Sequence, residues 1–282
     1  MKVLVTGGNL GLPTANLLAN KGVETLLLVR ESGHKDLGNI QEVVVDTTDS
    51  DSLKKAFEGV DKFFFVSPLI ENMVELANKM IRAAKDAGVS HIVRSSARGA
   101  SLEAPIVMGK LHGTIEQLIK DSGISYTFIQ PASFYQNLMG SLATINSEST
   151  FYGATGEGAN AFIDVGDIAA VGAKSLIGEG HINQTYEVTG PEVISSYDMA
   201  RELSEQVGRE IKFVNLDPEQ LREAYKSYGM SDWLIKALLE LDEITKKGYL
   251  ASGTDDVEKV LGRKPITFKQ FVADNIHLFQ VK

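Results

Sequence analysis

Six short apolar runs alternate with helical stretches up to Pro131, and this beat leaves the chain few folds to choose from. The runs are Lys2–Thr6, Thr25–Val29, Glu42–Val45, Lys62–Val66, His91–Arg94 and Tyr126–Ile129. Most are nearly continuous in hydrophobic residues rather than alternating, which is the pattern of strands buried on both faces. Between them lie stretches with helical signals. Pro13 to Lys21 carries its proline near the start, where a missing N–H costs nothing. Ser52 to Glu58 is closed by Gly59. Ile70, Met73, Val74, Ala77, Ile81 and Ala84 recur at helical spacing, and Gly88 stops them. Gly109 to Lys120 runs into Asp121-Ser122-Gly123. Strands separated by helices imply right-handed crossovers and a doubly wound parallel sheet.

After Pro131 the beat breaks. Phe134 to Ser147 reads as helical, and the glycines at 153, 156 and 158 mark a loop. Gly166 to Ile177 reads as a helix and Thr185 to Val188 as a strand that rejoins the sheet. From Pro191 the signals are mostly helical. The expected organisation is therefore an α/β Rossmann-type domain over residues 1–131 and 161–190. Residues 132–160 and 191–282 would form a small, mostly helical substrate domain that caps the cofactor cleft.

Composition closes off several function classes. The chain of 282 residues is 43% hydrophobic and 23% charged, ordinary for a folded globular protein. It has no cysteine, so disulfides and thiolate-held zinc are excluded. The formal net charge is −9, and its densest basic points, Lys54-Lys55 and Lys246-Lys247, sit among acids. Such a surface repels a phosphate backbone, so nucleic-acid binding is not expected. No apolar run approaches the ~20 residues of a membrane helix, and the start MKVLVTGG lacks the apolar stretch of a signal peptide. The expected location is the cytoplasm. A homodimer is left open.

Thr6-Gly7-Gly8-Asn9-Leu10-Gly11 follows the first strand directly and opens the first helix. A dinucleotide pyrophosphate needs close backbone approach and a helix N-terminus at this place. The alternative is a plain tight turn, and a glycine cluster alone is a weak signal. The loop is also short. A full G-x-x-G-x-x-G would place glycines where Leu10 and Pro13 stand. The second strand ends in Arg30, not in the acid that commonly holds the ribose 2′-hydroxyl of NAD. The planar fork of Arg30 suits a 2′-phosphate, which points to NADP(H). A solvated surface arginine is the alternative. Asp46 ends the third strand beside the expected adenine pocket, or serves as a turn or helix-cap residue in DTTDSDS. Ser67 and Pro68 end the fourth strand where the nicotinamide ribose would lie.

These features resemble the NmrA-like, atypical short-chain dehydrogenase/reductases. The resemblance is carried by TGGNLG, FFFVSP, AAKDAGVSHIVRSSA, GKLHGTIEQLIKDSGISYTFIQPASFYQNL, FIDVGDIAAV, TYEVTGPEVIS and GYLASGTDDVEKVLGRKPITFKQFVADN. It implies a Rossmann-type domain with a small C-terminal substrate domain, in a group that includes NADPH-dependent quinone and triphenylmethane reductases. It also implies that Gly7 and Gly11 hold the pyrophosphate and that Arg30 meets the 2′-phosphate. Ser67 and Pro68 would lie beside the nicotinamide, with Pro131 and Phe134 in the segment that closes over it.

Ordinary short-chain dehydrogenases protonate a carbonyl with a Tyr activated by a Lys four residues later. None of the eight tyrosines here has a Lys at that spacing. Met108 stands in the Tyr position and His112 in the Lys position. Ser95 or Ser96 occupies the place of the usual serine. Hydride transfer to an electron-poor acceptor needs no strong acid, because the nicotinamide carries the chemistry. A quinone, azo compound or cationic dye fits that requirement. The proton would come from water or from a group titrating near pH 6–7, and His112 is the candidate. A structural hydrogen bond is the equal alternative for it. His34, His91, His181 and His277 show no metal spacing and read as surface or structural. Phe134, Tyr135, Met139 and Tyr152 would line a flat pocket or simply be core. The second functional class is a non-catalytic NADP(H)-binding sensor that acts through a protein partner.

Overall fold

The computed structural model describes residues 1–33 and 37–280, so His34 lies outside the described residues. The chain opens with β1 (Lys2–Thr6), α1 (Gly11–Ala19), β2 (Glu24–Val29), β3 (Ile40–Val44) and α2 (Ser50–Ala56). It continues with β4 (Lys62–Val66), α3 (Met73–Asp86), β5 (His91–Ser95), α4 (Val107–Ser122) and β6 (Ser125–Pro131). These strands form one sheet in the order β3-β2-β1-β4-β5-β6, and Gln184–Val188 adds a seventh strand beside β6. Neighbours from β3 through β6 are parallel, with β1 between β2 and β4.

The element types follow the sequence pattern, and the boundaries move for local reasons. α1 begins at Gly11 rather than Pro13, so the proline falls inside the first turn, where its missing N–H is harmless. α3 begins at Met73. Ile70 stays exposed, and the buried stripe is Met73, Ala77, Met80, Ile81 and Ala84. α4 starts at Val107 and ends on Gly123 in the left-handed conformation, as the Asp-Ser-Gly signal implies.

The chain divides into two compact units. The first holds Met1–Pro131, Val165–Glu187 and Lys259–Gly262. One side of its sheet is a core of Leu4, Phe57, Phe63, Phe65, Met80, Ile92, Ile115 and Phe128. Phe57 meets Phe63 edge to face with centroids 4.9 Å apart. The helix Val165–Ile177 packs against β4 and β5. Gly172 permits this approach, since a Cβ there would stand 2.5 Å from the Phe64 ring.

The second unit holds Ala132–Asp164, Val188–Glu258 and Arg263–Lys282. The expected single helix after Phe134 is a 3₁₀ segment, Tyr135–Ser141, followed by a short α-helix, Leu142–Glu148. The expected glycine loop contains two short strands. Thr150–Gly153 pairs in parallel with Lys212–Asn215, and Ala159–Asn160 pairs antiparallel with Ile194–Ser195. Strands this short carry no readable periodicity, so only their partners define them. Helices Ser196–Val207 and Pro218–Ser227 each begin with a capping box, on Ser195 and Asp217. The unit's core gathers Tyr135, Phe151, Leu203, Phe213, Phe268, Phe271 and Phe279.

At the amino end of β5, His91 meets Thr127 Oγ1 through Nε2 at 2.9 Å. Thr127 donates its one hydroxyl proton to the His181 carbonyl at 2.6 Å, so His91 must be the donor to Thr127. His181 Nδ1 lies 2.8 Å from the Tyr186 hydroxyl. Both histidines are structural. Burial holds the His91 imidazole down at about 4, from 6.5. The folded state therefore binds fewer protons than the unfolded chain. His91's contribution is fully present above about pH 6.5 and is lost as pH falls toward 4, to the extent of about 3 kcal/mol. Urea midpoints measured from pH 8 to pH 4 are expected to fall below pH 6.5. A His91→Gln variant, which keeps a donor but cannot charge, should show a shallower acid-side decline.

Candidate functional site

The strand order reverses between β1 and β4, and in open α/β sheets ligands bind in the crevice beyond the carboxyl ends at that point. The turn from β1 into α1 lies there. Its first residue, Thr6, is buried and turned inward. Its hydroxyl donates to the Phe64 carbonyl and accepts from the Val66 amide at 2.7 Å, tying β1 to β4. Thr6 is therefore a strand clamp. Gly7 N donates to Leu28 O at 2.9 Å and anchors the loop to β2.

The next residues turn the backbone outward. Gly8 has φ +97°, a left-handed conformation that side chains disfavour, and a Cβ there would meet nothing within 4 Å. Gly11 is the opposite case. A Cβ there would stand 1.7 Å from the Thr6 carbonyl oxygen, so only glycine lets α1 start this close to β1. No side chain caps α1. Among the described residues the amides of Gly8, Asn9, Leu10 and Gly11 have no protein acceptor. An open run of donors at a helix N-terminus is a site for an anion, and a pyrophosphate fits it. The loop lacks two glycines of the longer pattern, yet three separate glycine tasks are filled: anchoring at Gly7, open approach at Gly8 and helix–strand packing at Gly11.

The candidates of the first unit follow the carboxyl ends of its strands, and those of the second unit belong to that unit's own core and loops. Arg30 is exposed just past the end of β2. Asp46 is exposed and engaged in its own turn. Its Oδ1 accepts from Thr48 N at 2.8 Å and Thr48 Oγ1 at 2.6 Å, and these bonds hold its carboxyl below the usual range. Ser67 follows β4, and its hydroxyl is buried with no partner among the described residues. Pro68 beside it is exposed. Ser95 closes β5 and Pro131 closes β6. Phe134 is half-buried and belongs to the second unit, where it bridges to Ile163. Tyr135 and Met139 fall in or against that unit's core.

A polar network that sequence reasoning only half anticipated fills the space between β5, β6 and α4. Arg94 is fully buried near the carboxyl end of β5, directly after the apolar pair Ile92-Val93. Its Nη1 donates to Ser95 O at 2.7 Å, and its Nη2 lies 3.1 Å from His112 Nδ1. Glu116, one turn beyond His112, accepts from Ser96 Oγ at 2.5 Å and from Gln130 Nε2 at 2.9 Å. Burial, reinforced by the Arg94 charge, holds the His112 imidazole down at about 3. This favours the neutral imidazole, and with it the structural hydrogen bond, over an acid titrating near pH 6–7. Ser96 is committed to Glu116. The signal that could have exposed the network is Arg94 itself, because a charge inside a two-faced strand demands a partner on the covering helix.

The comparisons agree with this architecture. A family model described as the NmrA-like family matches residues 1–272. The chain is 37% identical over 274 residues to an NAD(P)H azoreductase of Xenophilus azovorans, covering 95% of this chain and 96% of that one. It is 30% identical over 237 residues to quinone oxidoreductase 2 of Escherichia coli strain K12, covering 84% and 82%. Among solved structures, the NADPH complex of an Escherichia coli NADPH-dependent quinone oxidoreductase superposes with a TM-score of 0.88 at 27% identity, covering 98% and 100%. The NADP(H) complex of Citrobacter sp. triphenylmethane reductase gives 0.85 at 25%, covering 97% and 99%.

The two glycines should respond differently to one added methyl. Gly11→Ala forces α1 off β1 and is expected to cost about 3 kcal/mol or more. Gly8→Ala pays only for its left-handed backbone, about 1 kcal/mol. Urea unfolding of both variants checks this, and equal losses would mean that Gly11 does not set the helix position.

Proposed function

The chain belongs to the NmrA-like family, and on that premise we propose that it is an NADPH-dependent reductase of electron-poor aromatic acceptors, such as quinones, azo compounds and cationic dyes. The observation that carries the proposal is the open run of amides from Gly8 to Gly11 at the switch point of the sheet. Near full-length likeness to an azoreductase and to a quinone oxidoreductase supports the choice of reaction.

In this reading Gly7, Gly8, Asn9, Leu10 and Gly11 hold the pyrophosphate on backbone donors, while Thr6 braces the loop from behind. Arg30 meets the 2′-phosphate with its guanidinium fork. Asp46, already engaged by Thr48, shapes the turn beside the adenine. Ser67, Pro68, Ser95 and Pro131 border the nicotinamide end, and Phe134 contributes an aromatic surface for the acceptor. When bound, the reduced cofactor supplies the hydride. The protein's own residues hold, orient and exclude water. The chain has no Tyr with a Lys four residues on, and His112 is uncharged, so no side chain of the network delivers a proton as a strong acid. Quinones and azo groups tolerate this, because each accepts a hydride readily and can then take a proton from solvent, and a triarylmethyl cation is neutralised by the hydride itself and needs no proton. On this reading the reaction is cytoplasmic and its partner is a small aromatic molecule. Among the described residues no helix is long and apolar enough to cross a membrane.

The test follows reduced-cofactor absorbance with NADPH and, separately, NADH against a panel of quinones, azo dyes and triphenylmethane dyes. Turnover with NADPH is expected. Arg30→Ala should raise KM for NADPH about tenfold to a hundredfold, the worth of a charged hydrogen bond, and leave NADH nearly unchanged. Tight binding with no turnover on any acceptor would instead assign a sensor that works through a protein partner. Failure to bind either cofactor would overturn the proposal.

A further inference from the structure

The Arg94–His112 contact has a consequence for the state of the imidazole ring. A guanidinium has five N–H donors and no acceptor, and although burial lowers Arg94 to about 9, the nearby Glu116 carboxylate opposes this and the group is protonated at neutral pH. His112 Nδ1, 3.1 Å from Arg94 Nη2, can therefore only accept, and the single ring proton must sit on Nε2. Arg94 cannot easily swing away. It is fully buried, a second nitrogen is bound to Ser95 O at 2.7 Å, and its guanidinium lies 5.2 Å from the Phe65 ring centroid. Among the described residues Nε2 has no partner, and it is not one of the sealed buried atoms. Its location follows from α4. Glu116 reaches Ser96 and Gln130 at the carboxyl ends of β5 and β6, and His112 stands one turn nearer the helix N-terminus. That is the side of the sheet on which ligands of this fold bind.

We infer that Arg94 is a positioning residue that locks His112 in the Nε2–H tautomer, making it a fixed, uncharged hydrogen-bond donor at the carboxyl edge of β5. Its ligand is an oxygen or nitrogen that gains electron density during reduction, such as a quinone oxygen or an azo nitrogen, or a hydroxyl of the ribose beside it. A neutral donor suits this role. It stabilises developing negative charge without leaving a buried cation unpaired between turnovers. Charging the ring would place an N–H on Nδ1 against the guanidinium. Of the charged groups around it Arg94 bears on the ring, while the Glu116 carboxylate, bonded to Ser96 and Gln130, bears on Arg94. The consequence for turnover rests on the reductase reading. The tautomer lock does not.

Two-bond ¹H–¹⁵N spectra of ring-labelled histidine, recorded from pH 8.5 to pH 5, test the lock directly, with His112→Gln assigning the signal. The wild type should show one Nε2–H tautomer that does not titrate in this range. Arg94→Met should give mixed tautomers or a midpoint between pH 5 and 7. Arg94→Lys, which restores a donor-only cation, should recover the single tautomer. With a quinone acceptor, kcat of the wild type should lack a histidine limb. Arg94→Met should lose about tenfold at pH 8 and acquire an acid-side dependence. An Nδ1–H tautomer in the wild type, a midpoint above pH 5, or unchanged spectra in Arg94→Met would overturn the inference. Should Arg94→Met fail to fold, the wild-type spectrum and Arg94→Lys still decide it. If no acceptor turns over, the spectra stand alone and only the reductase reading fails.

Discussion

The first turn of α1 lies against the last carbonyl of β1, and the candidate site depends on that contact. Gly11 is the residue that allows it, because any Cβ there would overlap the Thr6 oxygen. The close approach puts a helix N-terminus at the strand reversal and leaves the backbone amides from Gly8 to Gly11 without a protein acceptor among the described residues. Thr6 and Gly7 then stabilise the arrangement from behind, one by clamping β1 to β4 and the other by bonding to β2. Binding capacity here comes from backbone geometry. The side chains of the loop mainly have to stay out of the way.

A second constraint runs through β5. Parallel strands covered on both faces ordinarily exclude charge, yet Arg94 is fully buried in one. Desolvating a guanidinium is costly, so its neighbours have to be specific. Ser95 and His112 answer Arg94, while Ser96 and Gln130 answer Glu116. The result is a polar layer between β5, β6 and α4 whose members fix one another's orientation. The same layer removes His112 from the set of ordinary titrating acids. A site of this kind favours acceptors that need a hydride and little acid help, which is consistent with the proposed acceptor class.

The fold was largely legible from residue order because burial on both faces leaves a simple trace. Runs such as KVLVT and KFFFV are too short for helices and too apolar for surfaces, and the glycines at 88 and 123 mark the ends of the helices before them. The second unit was less legible. Thr150–Gly153 and Lys212–Asn215 are strands only because each finds the other across about sixty residues. The break between the 3₁₀ segment and the helix after Phe134 likewise has no clear mark in composition.

Sequence alone determined the doubly wound sheet, the glycine turn at its first crossover, the absence of the Tyr–Lys pair and the placement of His112 on the helix before β6. Each is a matter of local pattern, spacing or residue type. Tertiary structure decided what those residues can do. It turned Thr6 inward, engaged Asp46 in its own turn, left the Gly8–Gly11 amides open and set Arg94 against His112 Nδ1. The physical reason is that charge state and hydrogen-bonding direction belong to pairs of groups. Their partners here come from different elements of the fold, so the ionisation of His112 follows from Arg94 on β5 and not from its place in the sequence.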